Sequence, residues 1–225
     1  MPYKSNSPIV LILWILSLGA AWSDLPPHFG NGNSIYHKFR LWCANDVFEN
    51  ILQTLVADTE KYLLVEIDSI FCKVHQHAAG ARKKYGKQAI GVSRGGKNTK
   101  VHVLINERMQ LLKVILTSGQ VHDSEPALAL LSGIELGGKK VLADKAYSCE
   151  QIRCYLQEHG AGACIPDKVN FRLKHTFDAE LYKQRNIVER FFQRIKNYRH
   201  VSTRYDKLAL CFLNFVLLAA CVIHF

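Results

Sequence analysis

The sequence predicts an α/β protein with a mixed five-stranded sheet flanked by helices, preceded by a small helical N-terminal region. Three short runs dense in Val, Ile and Leu follow one another directly, and two more alternate with helical patterns. Consecutive strands favour hairpin pairing, whereas strands separated by helices favour parallel pairing. Hydrophobic residues make up 48% of the chain and charged residues 21%, which is a globular balance.

The first 60 residues are predicted to be helical. An apolar run at Ile9–Trp22 is followed by the breaker-rich stretch SDLPPHFGNGNS, which predicts a loop. Apolar residues then recur near helical spacing from Phe39 to Leu55. Two or three short helices with His37, Lys38 and Arg40 on the polar side resemble a DNA-contacting module, and a plain helical attachment fits the same pattern.

The strands are predicted from β-branched runs bounded by turn residues. In chain order the strand-like segments are YLLVEIDSIFCKV, TKVHVLIN, LLKVILTSG, KKVLADKAY and GAGACIPD. Glu107–Gln110 predicts a hairpin between the second and third. Ser124 is predicted to cap a helix through SEPALALLSGI, and Ser148 with Gln151 predicts a capping box for the next helix, which Gly160 ends. A long helix follows the fifth strand.

Charge and cysteine content limit the classes of function. The formal net charge is +10 with a pI near 9.3, which favours nucleic acid first and anionic membrane second as a partner. The seven cysteines are odd in number and contain no C-x-x-C pair, which favours free thiols in a reducing cytoplasm. His75 and His77 could bind a metal only with two further convergent ligands.

Two terminal apolar runs offer an alternative function, that of an exported or membrane-anchored protein. Ile9–Trp22 is similar to a secretory signal, and the last eighteen residues from Leu208 have the length of a membrane span. Asn214 and His224 within the second run suit a buried helix better than lipid. The basic charge and the cysteines also oppose export, so we expect two buried helices.

Three acids lie where a plain structural role would be costly. Asp68 lies inside an apolar strand and Asp144 ends one, and a buried carboxylate needs a cation or a proton to offset it. Glu189 is the one acid in RNIVERFFQRIKNYRH at residues 185–200. On a helix it shares a polar sector with Arg185 and Lys196. A weak ion pair on a solvated face would explain Glu189 equally well.

The residues Tyr182, Arg185, Glu189 and Lys196 match the Y-x2-R-x3-E-x6-K signature, so the chain resembles bacterial insertion-sequence transposases of the DDE class, and within it the family-five group. Further similar segments occur in the same order: DLPPHFG, HQHAAGARKK, AIGVSRGGKNTKVHVL, SGQVHDS, LADKAYS and TRYDKLALCFL. The resemblance runs from Ile9 to the C-terminus.

The resemblance implies a ribonuclease-H-like catalytic domain at residues 61–225, after a DNA-contacting module at residues 1–60. It implies that Asp68, Asp144 and Glu189 are catalytic and bind two Mg²⁺ ions, with Mn²⁺ as an alternative. The implied reaction is strand cleavage at the element's ends followed by strand transfer into target DNA.

The resemblance also implies the partners. Tyr182, Arg185 and Lys196 would contact DNA. A basic, glycine-rich loop is predicted at His75–Asn98, and we expect Arg94, Lys97 and the nearby Lys100 to hold phosphates without reading bases. The DNA would be the inverted repeat ends of the element and the target. A homodimer would bring two ends together in the cytoplasm, at the nucleoid, with no membrane.

The chain departs from the family pattern at LADKAYS, where Ala146 replaces the usual Gly and Ser148 the usual Asp. The family pattern also leads us to expect a copy truncated at the amino end. A remnant that binds DNA without turning it over is therefore a second hypothesis beside the active transposase.

Overall fold

A mixed β-sheet forms the centre of the protein. The computed structural model describes residues 7–57, 62–169 and 174–224. Within them the strands are β1 (Leu64–Val74), β2 (Gly91–Ser93), β3 (Gly96–Asn106), β4 (Leu111–Ser118), β5 (Lys140–Ala143), β6 (Gly162–Cys164) and β7 (Thr203–Arg204). The five expected strands are all present, and the short β2 and β7 add to them.

The strand order confirms the mixed α/β prediction. The sheet runs β4-β3-β1-β5-β6, antiparallel from β4 to β1 and parallel from β1 to β6. The short β2 also pairs with β3, and β7 pairs in parallel with the last two residues of β1. An antiparallel three-stranded unit continued by two parallel strands is the ribonuclease-H-like arrangement that the resemblance implied.

The hairpin expected at Glu107–Gln110 is present between β3 and β4. The side-chain oxygen of Asn106 accepts hydrogen bonds from the backbone N–H groups of Arg108 and Gln110, at 3.0 Å each. Met109 takes a left-handed conformation with φ of 61°, which closes the turn. A local Asx-type turn therefore sets the register of this pair of strands.

Helices cover the sheet. They are α1 (Pro8–Leu18), α2 (Gly32–Ala44), α3 (Val47–Ala57), α4 (Ala127–Leu131), α5 (Glu150–Glu158), α6 (Ala179–Tyr182), α7 (Asn186–Lys196), α8 (Arg199–Ser202) and α9 (Ala209–Val222). The two terminal apolar runs form α1 and α9, and both bury apolar side chains in the core. Across the described ranges, no helix combines the length and apolar character needed to cross a bilayer.

The predicted caps of two helices are wrong. Ser148 does not cap α5, which begins after Cys149 without a side-chain cap, because the Ser148 hydroxyl is turned toward Asp167 at 3.2 Å. The helix expected from Ser124 is shorter and begins after Pro126, with no side-chain cap. In both places tertiary partners or the proline override the local capping pattern.

The long helix expected around Glu189 is interrupted. It consists of α6, a 3₁₀ turn at Lys183–Arg185, and α7. The side chain of Arg185 and the backbone N–H of Val188 are both bonded to acids on β1, at 3.0 Å each. These bonds fix the start of α7 against the sheet, where a tighter turn replaces regular α-helix.

The N-terminal helices share one hydrophobic cluster with the sheet and α9. Phe215 of α9 is fully buried, with its ring centroid 4.4 Å from that of Phe39 in α2 and 6.1 Å from that of Trp22. The predicted division into residues 1–60 and 61–225 stays a prediction. Its boundary falls in residues 58–61, outside the described residues.

We predict that Phe215→Ala lowers the free energy of unfolding by about 3–5 kcal/mol, because it leaves a cavity between α2 and α9. Urea unfolding followed by circular dichroism measures the change. Leu210→Ala is the control on the same helix, since Leu210 is 43% exposed and should cost about 0.5 kcal/mol or less. Equal losses in the two variants would show that α9 is not a core element.

Candidate active site

Two of the predicted catalytic acids lie side by side where the parallel pairing of β1 with β5 ends. The register of β1 with β5 pairs Ile67 with Ala143, and Asp68 and Asp144 are the residues that follow this pair in sequence. Asp144 also accepts a hydrogen bond from the N–H of Ala146 at 2.7 Å, which caps the short turn that follows β5. The pairing of β1 with β5 therefore brings together two carboxylates 76 residues apart in sequence, by subtraction of their numbers.

The environment of Asp68 disfavours its charge. The pKa of this carboxyl is raised to about 6, chiefly by burial. The Ser69 N–H and Arg185 lower the pKa, while Asp144 and Asp123 add to the rise. The side chain remains 19% exposed, so solvent reaches it. Several acids around one partly buried carboxylate create the electrostatic condition that favours binding of a cation.

Arg185 links Asp68 to the third predicted acid. Its guanidinium donates to Asp68 at 3.0 Å and to Glu189, one turn further along the helix, at 2.8 Å. Glu189 is 55% exposed, so its second oxygen faces solvent. The structure thus brings Asp68, Arg185 and Glu189 together, with the arginine between the two acids.

Glu66 is a residue of this site that the sequence analysis did not single out. It lies two residues before Asp68 on β1, is fully buried, and accepts a hydrogen bond from the N–H of Val188 at 3.0 Å. Its other carboxyl oxygen is buried without a partner within the described part of the chain. Burial raises the pKa of Glu66 to about 7. Its presence two residues from Asp68 in an apolar strand was the available signal.

Asp123 is a second acid that was missed. It accepts a hydrogen bond from the hydroxyl of Ser69 at 2.5 Å and pairs with Lys100 at 3.0 Å. Although burial alone would raise it, these two contacts lower the pKa of Asp123. The segment SGQVHDS belonged to the resemblance but carried no assigned role, so the acid at its end was overlooked.

The predicted DNA contacts have different surroundings. Lys196 and the hairpin residues Arg94 and Lys97 are exposed, and Tyr182 is partly buried at the end of α6. Lys100 is buried instead, with its ammonium on Asp123 and on the carbonyl of Val121 at 2.7 Å. Lys100 is therefore a fixed charge on β3 beside the acids, where the sequence predicted a phosphate contact.

The acids of the site suit a divalent cation by their chemistry but not by their arrangement. In residues 7–57, 62–169 and 174–224, no three His, Cys, Asp or Glu side chains are arranged to hold a metal ion. The donor chemistry nevertheless fits, since Asp68 and Asp144 offer carboxylate oxygens and the charge of Asp144 helps to raise the pKa of Asp68. Glu189 would join them only after leaving Arg185.

Family profiles match most of the chain. Residues 59–223 match the "Transposase DDE domain" family, and residues 6–52 match a family described as "Putative transposase of IS4/5 family". The chain belongs to the DDE transposase family. This confirms the predicted family, and the DDE domain match spans all three predicted acids.

Individual relatives agree with this assignment. The "Putative transposase for insertion sequence element IS6501" of Brucella ovis is 34% identical over 127 residues, which cover 56% of this chain and 96% of that protein. An uncharacterized protein of Sinorhizobium fredii is 33% identical over 85 residues, covering 37% of this chain and 67% of that protein.

Among solved structures, the chain is similar to Mos1 transposase in a paired-end complex with the left transposon end. The identity is 11%, the TM-score is 0.32, and the match covers 96% of this chain and 80% of the Mos1 chain. A similarity this distant adds nothing to the family assignment.

We predict that Glu66→Gln removes a pH dependence of stability. The pKa of Glu66 rises from its ordinary value of 4.5 to about 7 in the folded chain. Between these values the folded state holds a proton that the unfolded state has lost, so stability falls as pH rises from 4.5 to 7 and then levels off. The loss should amount to up to about 3 kcal/mol.

Urea unfolding in EDTA from pH 4.5 to 8 measures this effect without bound metal. The difference in stability between the parent and Glu66→Gln should change across this range. Glu180→Gln is the matched control, because Glu180 is 82% exposed and should leave the profile unchanged. Parallel profiles for the parent and Glu66→Gln would mean that Glu66 is ionised in the folded protein throughout.

Proposed function

We propose that this transposase cleaves DNA strands at the ends of its insertion sequence and joins the freed 3′ hydroxyls to target DNA. One observation carries the proposal. Arg185 holds Asp68 and Glu189 on a single guanidinium, while Asp144 lies at the adjacent strand end. These contacts support a shared site for the three acids of the family signature on a basic protein.

Two Mg²⁺ ions, or Mn²⁺, are the proposed cofactors, with Asp68, Asp144 and Glu189 as the residues that would hold them. Bound there, they would supply activation of the attacking oxygen and stabilisation of the leaving oxygen in phosphodiester chemistry. Magnesium suits a site of a few carboxylates because it takes oxygen ligands and keeps bound waters.

The chain's own cations have two roles in this proposal. Before cations enter, Arg185 offsets the charge of Asp68 and holds Glu189 nearby at 2.8 Å. In a protein whose acids held cations, the guanidinium of Arg185 would be available to a DNA phosphate, which it could contact through two N–H groups. Tyr182 and Lys196, the first and last residues of the sequence signature, would contact the cleaved end.

The acids beside the site keep this geometry. Glu66 fixes the first turn of α7 to β1, which sets the distance from Asp68 to Glu189. Asp123 orients Ser69, whose backbone N–H donates to Asp68 at 2.8 Å. These are positioning residues, and their contribution is to hold the reacting groups in alignment.

A DNA-binding remnant without turnover is the second candidate. The observation that favours it is the ion pair that holds Glu189 away from a metal-binding arrangement in the described residues. Both candidates bind DNA, so the binding of DNA does not separate them. Cleavage that depends on a divalent cation does.

We predict that Glu189→Gln abolishes cleavage of a labelled duplex carrying the element's end, assayed with Mg²⁺ and in EDTA. Gln keeps the shape and hydrogen bonding of the side chain but removes the charge that offsets a cation. DNA affinity should stay equal or increase, because one negative charge is lost. Glu180→Gln is the control and should cleave like the parent, because Glu180 is also a helix acid in an ion pair, in its case with Lys183.

Cleavage by Glu189→Gln at near the parental rate would reduce Glu189 to a helix ion pair and refute the proposed site. Absence of cleavage by the parent itself, at equal Mg²⁺ and with DNA bound, would favour the remnant. The same assay with two labelled ends checks the proposed homodimer, which would bring both ends together. We place this activity on DNA in the cytoplasm.

We predict that replacing Arg94 and Lys97 with Ala weakens binding to all DNA sequences alike. Both side chains are exposed on the β2–β3 hairpin and would contact phosphates without reading bases. The slope of log affinity against log salt should fall by about 2, one for each lost contact. Fluorescence anisotropy on element and random duplexes from 50 to 300 mM salt, at roughly evenly spaced steps, measures it.

Lys113→Ala with Lys139→Ala is the charge-matched control, since it removes the same charge from β4 and from the turn before β5. It should leave the slope close to that of the parent. A loss confined to the element's own ends in the hairpin variant would instead make the hairpin a specificity element.

A further inference from the structure

A cavity lined by aromatic rings lies apart from the acids. It has a volume of about 380 Å³ and opens between the end of α1, the start of α2, the segment after β1 and the segment after β7. Its ring-bearing lining residues are Trp22, Tyr36, His75, His77, His200 and Tyr205. His75 follows Asp68 by seven residues along β1, roughly 23 Å at the rise of a strand. This is therefore a second site.

The rings that line this cavity are held in place by one another. The ring centroids of His75 and Tyr205 are 5.1 Å apart, those of His75 and His77 are 4.6 Å apart, and those of Trp22 and Tyr36 are 5.4 Å apart. His75 also accepts a hydrogen bond from the N–H of His77 through Nδ1. A rigid group of ring faces suits a flat aromatic ligand, because little side-chain entropy is lost on binding.

A basic hollow adjoins the cavity. It measures about 210 Å³, shares Tyr36 and Lys207 with the cavity, and adds Arg40 and Arg82. None of the described residues that line it is acidic. In the cavity itself the acid is Asp206, which is paired with His200 at 2.9 Å. The hollow therefore offers cationic groups to an anion, and the Asp206 carboxylate is engaged by the His200 ring.

We infer that the aromatic cavity and the adjoining basic hollow together bind an unpaired nucleotide of a DNA strand. The base would stack among the rings of the cavity, and its phosphate would lie on Arg40, Arg82 and Lys207. Aromatic stacking with adjacent cations is the general mode by which proteins hold single-stranded nucleic acid. The inference rests on the proposed function, which supplies DNA as the ligand, and extends it to a binding site outside the three acids.

The test compares two DNA probes in EDTA, so that no cleavage intervenes. One is a fully paired duplex and the other is the same duplex with a three-nucleotide single-stranded overhang, a length of about one short binding site. We expect the parent to bind the overhang probe about tenfold more tightly, because one stacked base contributes on the order of 1–3 kcal/mol. Tyr205→Leu should reduce this ratio to below about twofold.

The matched control is His159→Ala, which removes an aromatic ring stacked on Tyr155 in α5, away from the cavity. It should keep the parental ratio. Thermal unfolding checks that Tyr205→Leu is folded. A photocrosslink from 5-iododeoxyuridine in the overhang to the parent, mapped by mass spectrometry, gives a measurement independent of any variant. It should map to Trp22, Tyr36, His75 or Tyr205.

Equal affinity for the two probes, or a crosslink confined to other residues, would overturn the inference. Free deoxyadenosine monophosphate is the second arm. If it quenches tryptophan fluorescence while the overhang gives no advantage, the cavity holds free nucleotides and the assignment to a DNA strand is wrong. Because binding in EDTA does not depend on turnover, these results leave the cleavage test of Glu189 unaffected, and failure of cleavage leaves this test valid.

Discussion

The attachment of α7 to β1 is the contact on which the rest of the site depends. Two acids on β1, Glu66 and Asp68, hold the start of α7 through the N–H of Val188 and the guanidinium of Arg185. Burying carboxyl groups is costly unless protons or cations offset the charge. Here Arg185 offsets one acid, and a raised pKa near neutrality leaves the other protonated at mildly acidic pH.

The packing of α7 on the sheet determines where its charged side chains lie. The apolar face of α7, with Val188, Phe191 and Ile195 buried, packs on the sheet and keeps Glu189 on the opposite, exposed side. Hydrophobic burial therefore determines where the charges lie. Lys100 and Asp123 add a third ion pair beside the two that Arg185 makes, so that the field around Asp68 comes from several elements of the chain.

The sequence predicted the parts of this structure that depend on local pattern. The β-branched runs located the strands, and the alternation after β4 indicated parallel pairing, which places Asp68 beside Asp144. The family resemblance identified Glu189 and Arg185, but the sequence left open whether their ion pair or a metal would hold the glutamate. In the structure the ion pair forms. The role of the three acids as metal ligands stays a prediction.

The sequence did not predict the contacts between residues that are far apart in the chain. Ser148 has the local pattern of a cap, yet Asp167 lies near enough to bond its hydroxyl instead. Glu66 looked like an ordinary polar residue because its partner, Val188, is 122 positions away. The aromatic cavity likewise collects side chains from four separate segments, each unremarkable alone. Such contacts follow from the packing of whole elements, which local periodicity does not encode.

The sequence separation of these contacts also orders the folding of the protein. The β3–β4 hairpin closes over a few residues, whereas Arg185 meets Asp68 across 117 positions. Short loops close quickly and distant pairings form late. During synthesis the hairpin can therefore form well before α7 has emerged. Asp68 remains without Arg185 until nearly the whole chain is made, so a nascent chain cannot yet hold Asp68 and Glu189 on one guanidinium.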